Sequence, residues 1–207
     1  MKEEIVQESL KLFLQHGIRE MSNQKLVDCL GISTKTIYKY FKNKEDLLEQ
    51  VLHLYHDRQY ERLLSLSSEQ HAACHFFDVW RIAVETEYQV NQMFYQDLHH
   101  YYPKLEKKVE GAIGKRFEQH FLAIIHQGIR QEAFRKDILP EVALRSILVL
   151  HRATVRTEPF KRFGLSATDL LLQTTANYIR GLCTDEGMKA LDEHMRTLQF
   201  SQGLVSA

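Results

Sequence analysis

Residues 31–48 read GISTKTIYKYFKNKEDLL. It holds four lysines and two tyrosines around a Thr34-Lys35-Thr36 triplet. Gly31 suits the left-handed exit of a preceding helix, and Ile32 plugs the corner that follows. Ser33 or Thr34 then caps a helix carrying Ile37, Tyr38 and Phe41. Asn43 opens another, with Glu45 and Asp46 in the first turn, where the helix dipole favours carboxylates. Between Ser33 and Lys44 stand lysines 35, 39, 42 and 44 and no acidic residue.

On the N-terminal side, Ile5, Ser9, Leu12, Phe13 and His16 recur at helical spacing, and Gly17 is expected to end that helix in the left-handed conformation. Ser22 caps a short second helix whose inward residues are Leu26, Val27 and Leu30. Two short helices joined by a tight glycine turn make a helix-turn-helix. Residues 1–48 hold eight basic and seven acidic side chains, so the positive charge is concentrated on one element. With Ile37 and Phe41 turned to the core, Thr34, Lys35, Thr36, Lys39 and Tyr40 are left outward. Such groups reach base edges and phosphates. A merely solvated lysine-bearing helix is the plainer alternative; the two caps, the glycine turn and the one-sided charge favour DNA.

Whole-chain quantities bound the rest. The chain has 207 residues, 44% apolar and 26% charged, with zero formal net charge, so only a local charge excess argues for an anionic partner. Cys29, Cys74 and Cys183 are too few and too scattered for a disulfide framework or a metal knuckle, and a reducing cytoplasm is the expected setting. No apolar stretch approaches membrane-spanning length. Prolines occur only at 103, 140 and 159. Apolar residues follow helical spacing from end to end without strand-like alternation, which predicts an all-α protein.

The N-terminal residues also resemble a known family. Phe13, His16-Gly17-Ile18, Leu26-Val27, Leu30-Gly31-Ile32-Ser33, Thr36-Ile37-Tyr38-Lys39-Tyr40-Phe41, Asn43-Lys44-Glu45 and Leu47-Leu48 are similar, without a gap over about residues 3–50, to the DNA-binding domain of TetR-family transcriptional regulators. Lys35 departs from the family pattern, where a glycine or other small residue is frequent. So do Met21 and the larger residues Val27, Cys29 and Leu30. The resemblance implies a three-helix DNA-binding domain at 1–48, joined by a connecting helix to a helical ligand-binding and dimerisation domain at 49–207. It implies a homodimer on a palindromic double-stranded DNA operator, with Thr34, Lys35 and Thr36 at base edges. Ser33, Tyr38, Lys39, Tyr40 and Lys44 would meet the backbone, with Ser22 and Gln24 gripping it from helix 2. A repressor released by a small, largely apolar effector is the expected function.

Beyond residue 48 the sequence gives helices and core. A fourth helix from Lys44 to about Ser65 carries Leu48, Val51, Leu52 and Tyr55 inward. Trp80, Tyr88, Phe94, Tyr95, Phe117, His120 and Phe121 are candidates to line an effector cavity between helices, against the alternative that they are simply packing. A long helix is expected over about 105–127. The helix after Pro140 is apolar nearly all round and is expected to be buried on two sides. Ser166-Ala-Thr-Asp169 reads as a capping box opening a helix that runs through Leu182. The resemblance makes these last two helices the dimer interface, through Leu144, Ile147, Leu148, His151, Leu171, Leu172 and Ile179.

His71/His75 and His53/His56 have two-ligand helical spacing, but nothing completes a metal set. No phosphate loop or nucleophile elbow appears, so neither cofactor nor catalytic residue is expected. An all-α enzyme or small-molecule binding protein with an incidental helix-turn-helix is the competing reading.

Overall fold

The computed structural model describes residues 1–67, 70–156 and 160–203; Pro159 and the end of the expected frayed tail, 204–207, lie outside them. Among the described residues the chain is helical, with one isolated bridge between Phe134 and Cys183. The helices are α1 (Lys2–His16), α2 (Asn23–Leu30), α3 (Thr34–Tyr40), α4 (Lys44–Leu64), α5 (Ala72–Tyr88) and α6 (Gln92–Tyr101). Then come α7 (Pro103–Arg130), α8 (Pro140–Val155), α9 (Ala167–Gln173), α10 (Thr175–Leu182) and α11 (Asp185–Gly203). Pro103 and Pro140 each open a helix, where the missing N–H has no intrahelical partner to lose.

Two compact units emerge: Met1–Arg62 with Gln89–Arg116, and Leu63–Tyr88 with the chain from Phe117 onward. The sequence reading drew one boundary, at residue 48; the first unit also holds most of α4, all of α6 and half of α7.

In the first unit, α1 buries Ile5, Val6, Ser9, Leu10 and Phe13. Leu12 is only half-buried and His16 is exposed, so the buried stripe lies one step round the helix from the expected one. Gly17 ends α1 with φ 87° and ψ 164°, not in the left-handed helical conformation expected. A Cβ there would lie 2.9 Å from the Cβ of Met93. Gly31 does take the left-handed conformation at the end of α2, and Ile32 N–H donates to Val27 O at 3.1 Å. From α6, Asn91 N–H reaches Leu14 O at 2.9 Å and Asp97 accepts from Arg19 N–H at 2.7 Å.

In the second unit α5 is the central helix, with Phe76, Phe77, Val79, Trp80 and Val84 fully buried. Helices α8 to α11 pack on it, directly or through one another. Within the protomer one face of α8 is covered. Leu144 and Ile147 face the core, while Val142 and Val149 stay 58% and 61% exposed. Five of the residues expected at a dimer interface, Leu144, Ile147, His151, Leu171 and Ile179, are instead interior to this unit. They satisfy the protomer's own core first. Leu148 and Leu172 are partly buried.

The helix expected to run from Ser166 to Leu182 breaks at Thr174, where φ −122° and ψ −82° separate α9 from α10. The Thr174 hydroxyl donates to Leu170 O at 2.6 Å, a side-chain bond that competes with the helical ladder.

Candidate nucleic-acid interface and effector-binding core

Helix α3 is short and held at both ends. The Ser33 hydroxyl accepts from Thr36 N–H at 3.1 Å and pairs with the Thr36 hydroxyl at 2.8 Å, capping the first turn. Ile37 and Phe41 are buried and fix the helix to its unit. Thr34, Lys35 and Lys39 are exposed, Thr36 and Tyr40 half-buried, and the Lys39 ammonium lies 5.7 Å from the Tyr40 ring centroid. The outward run expected from the sequence is therefore one contiguous face of hydroxyls, amines and phenols.

Tyr38 is 46% exposed, and its hydroxyl accepts from Asn23 Nδ2 at 2.9 Å. That bond leaves the phenolic O–H free to donate outward. Asn23 was not expected here; its only sequence signal is its place just after the α2 cap. Ser22 supplies that cap by accepting from Lys25 N–H at 3.2 Å, and the exposed Gln24 amide donates to Asp28 at 2.8 Å.

Lys44, expected among the phosphate contacts, also has partners inside its own unit. Its ammonium donates to the carbonyls of Ile18 and Met21, each at 2.6 Å, and stands 5.7 Å from the Phe13 ring centroid. Two of its three N–H groups are thus used inside the unit. Burial lowers the Lys44 pKa from the ordinary lysine value, while nearby Asp97 pulls it back up. Asn23, Ile37, Tyr38, Phe41, Asn43, Lys44 and Leu47 line a shallow, open notch.

The candidate effector residues fall into two groups. Trp80 stacks on Phe121 at 5.2 Å between centroids; Phe121 also neighbours Phe117 at 6.2 Å and His120 at 6.1 Å. His120 lies 6.4 Å from His75, and burial lowers the pKa of both. Tyr88 is exposed, with its hydroxyl donating to Leu165 O at 2.5 Å. Phe94 and Tyr95 belong to the first unit, where Tyr95 hydrogen-bonds Tyr55 through the two hydroxyls at 2.9 Å and Phe94 packs edge-on to Tyr55.

Sequence reasoning missed a buried ion pair beside Trp80. Arg156 donates from Nε and Nη2 to Glu87 at 2.7 and 2.9 Å, and His151 Nε2 lies 3.3 Å from the same carboxylate. Burial by itself pushes the Glu87 pKa up; Arg156 and His151 outweigh it and hold the carboxyl well below the usual range. These partners are 69 and 64 residues apart in sequence, and no local spacing signals them. Among the described residues no three His, Cys, Asp or Glu side chains come together as a metal site, and no helix is long and apolar enough to cross a membrane.

Comparison with known proteins bears on both parts of the chain. Residues 5–51 match the family model described as bacterial regulatory proteins, tetR family. The chain is 36% identical over 65 residues to the uncharacterized HTH-type transcriptional regulator YuxN of Bacillus subtilis, a stretch covering 31% of this chain and 22% of that protein. It is 18% identical over 146 residues to the HTH-type transcriptional repressor KstR2 of Rhodococcus jostii, covering 69% and 72% of the two chains. Among solved structures, a putative transcriptional regulator from Saccharomonospora viridis, in complex with choline, superimposes with a TM-score of 0.76 at 17% identity, over 88% of this chain and 97% of that one. Residues 5–51 thus match a tetR-family domain, and the fold of the whole chain is similar to that of the Saccharomonospora regulator along most of its length.

Proposed function

We propose that the protein is a repressor that binds a palindromic DNA operator as a homodimer and leaves it when a small, largely apolar effector occupies the second unit. The observation that carries the DNA part is the outward face of α3: exposed Thr34, Lys35, Tyr38 and Lys39, with no acidic residue between Ser33 and Lys44. In this reading Thr34, Lys35 and Thr36 meet base edges. Ser22, Gln24, Ser33, Tyr38, Lys39 and Tyr40 meet the sugar-phosphate backbone, and Lys44 adds its remaining N–H. The effector is received by the aromatic group around Trp80, Phe117, His120 and Phe121. The Saccharomonospora structure, solved with choline, is a precedent for a small ligand in this fold. A role on genomic DNA implies a cytoplasmic setting.

Titration of a labelled operator, selected from genomic DNA by the protein itself, tests the reading. Wild-type affinity should fall log-linearly with salt, at a slope of about −0.9 per phosphate neutralised. Thr36→Ala should relax specificity at one or two base positions, at a cost of about 1–3 kcal/mol. A flat salt response would instead favour an all-α enzyme or binding protein whose helix-turn-helix is incidental.

A further inference from the structure

Asn23 begins α2 and Tyr38 stands within α3, 15 residues further on. Asn23 Nδ2 donates to the Tyr38 hydroxyl at 2.9 Å, across the helix-turn-helix. Both ends of that bond are seated. The Ser22 hydroxyl, accepting from Lys25 N–H, fixes the first turn of α2, and Ile37 and Phe41 bury the inner side of α3. As a tie between helices the bond adds little, because both groups are exposed and water competes for each. Buried Leu26, Val27, Ile37 and Phe41 already anchor α2 and α3.

The consequence of the bond lies in the direction of one hydrogen. A phenolic hydrogen stays close to the ring plane, on one of two sides of its oxygen. With the amide N–H donating from one side, the hydroxyl hydrogen is turned to the other. A phosphate oxygen only accepts, so a phenol meets it by donating. An oxygen that already accepts is also the stronger donor, since the two bonds polarise one another. Asn23 and Tyr38 line the same shallow notch as Lys44, and no residue lining it is acidic.

We propose that Asn23 is a positioning residue for DNA binding: by donating to the Tyr38 hydroxyl it turns the phenolic O–H outward, onto one phosphate of the operator. The proposal rests on the reading of α3 as the DNA-facing helix. It adds a residue of α2 that acts through Tyr38 and does not itself touch DNA.

The full chain is titrated against the labelled operator and against copies in which single phosphates are replaced, one at a time, by uncharged methylphosphonates. Wild-type binding should weaken about tenfold or more at the phosphate that Tyr38 meets. Tyr38→Phe should bind the unmodified operator about tenfold more weakly and respond to that one replacement by no more than about twofold. Asn23→Leu keeps the shape of the side chain without its donor. It should weaken binding about three- to tenfold and cut the response at the same phosphate to about threefold or less. Combined with Tyr38→Phe, it should weaken binding no further, to within about twofold. Asn23→Ala takes its place if Asn23→Leu does not fold. A bond that only ties two helices would leave the set of sensitive phosphates as in wild type.

A phosphate profile unchanged in Tyr38→Phe or in Asn23→Leu overturns the positioning role and leaves the DNA reading intact. So does a loss at a different phosphate or additive losses in the double variant, either of which makes Asn23 a contact in its own right. Tighter binding by Asn23→Leu overturns it as well, since the amide would then be holding the phenolic hydrogen back from DNA. A wild-type chain that selects no operator, or binds one with no sensitive phosphate, overturns the DNA reading and the proposal with it.

Discussion

Lys44 shows how a residue's role depends on where its atoms go. Read along the sequence, it is one of four lysines on a basic element and belongs with the phosphate contacts. In the fold its ammonium bridges the carbonyls of Ile18 and Met21, 26 and 23 residues away, and so ties the start of α4 to the α1–α2 turn. Lys44→Met keeps the stem and removes both charge-assisted bonds. It should lower stability to thermal or urea unfolding by about 1–2 kcal/mol, towards the lower end for bonds to a charged group because the ammonium is only half-buried. Lys39 is the control. It is exposed and makes no such bond, so Lys39→Ala should leave the melting curve in place and reduce the salt slope of operator binding by about one. Matching melts for Lys44→Met and wild type would return Lys44 to the phosphate set.

At the scale of elements, the helices were legible wherever local chemistry decided them. Ser22, Ser33, Asn43 and Ser166 cap where a hydroxyl or amide precedes an apolar run, and each accepts from the backbone N–H three residues on. What stayed hidden are the ties between distant elements, because a contact across dozens of residues leaves no period to count. One is the hold of α6 on the α1–α2 turn. Asp97 is buried and accepts from Arg19 N–H, while the Arg19 guanidinium reaches the Tyr101 hydroxyl at 2.5 Å. Asp97→Ala leaves that amide without its partner, and exchange of the amides at 17–21 should accelerate roughly ten- to hundredfold while those of α5 keep their rates. Another is the tie of α5 to α8. Glu87 has its folded pKa depressed relative to the usual 4.5, chiefly by Arg156 against the opposing effect of burial. Its stabilising contribution is therefore fully present above about pH 4.5 and is lost as pH falls from there through the folded value. Glu87→Gln should remove this part of the acid limb in urea unfolding measured between pH 3 and 7. At neutral pH it should cost about 3–5 kcal/mol, because Arg156 is left without its carboxylate. An acid limb of unchanged steepness would count against the pair.

On the scale of the whole molecule, the apolar excess of α8 suggested an interface from the sequence, and the fold divides that excess in two. Five of the seven residues singled out for pairing fill the protomer's own core, since periodicity identifies an apolar helix without saying which neighbour covers which face. Val142 and Val149, two turns apart, remain exposed on α8, with Leu139 at its start also 67% exposed. Isologous pairing of two copies would bury such a face against its own equivalent, and an operator with two half-sites demands a two-fold dimer. Val142→Asp combined with Val149→Asp touches no core contact, so the folded protomer should keep its melting midpoint at low concentration to within about 0.5 kcal/mol. A carboxylate facing its symmetry mate in an apolar interface is costly, and sedimentation should show the variant as a monomer where the wild type is a dimer. Operator affinity should then fall at least about a hundredfold, with binding to one half-site retained at low salt. A dimeric variant with full affinity would move the interface away from this face of α8.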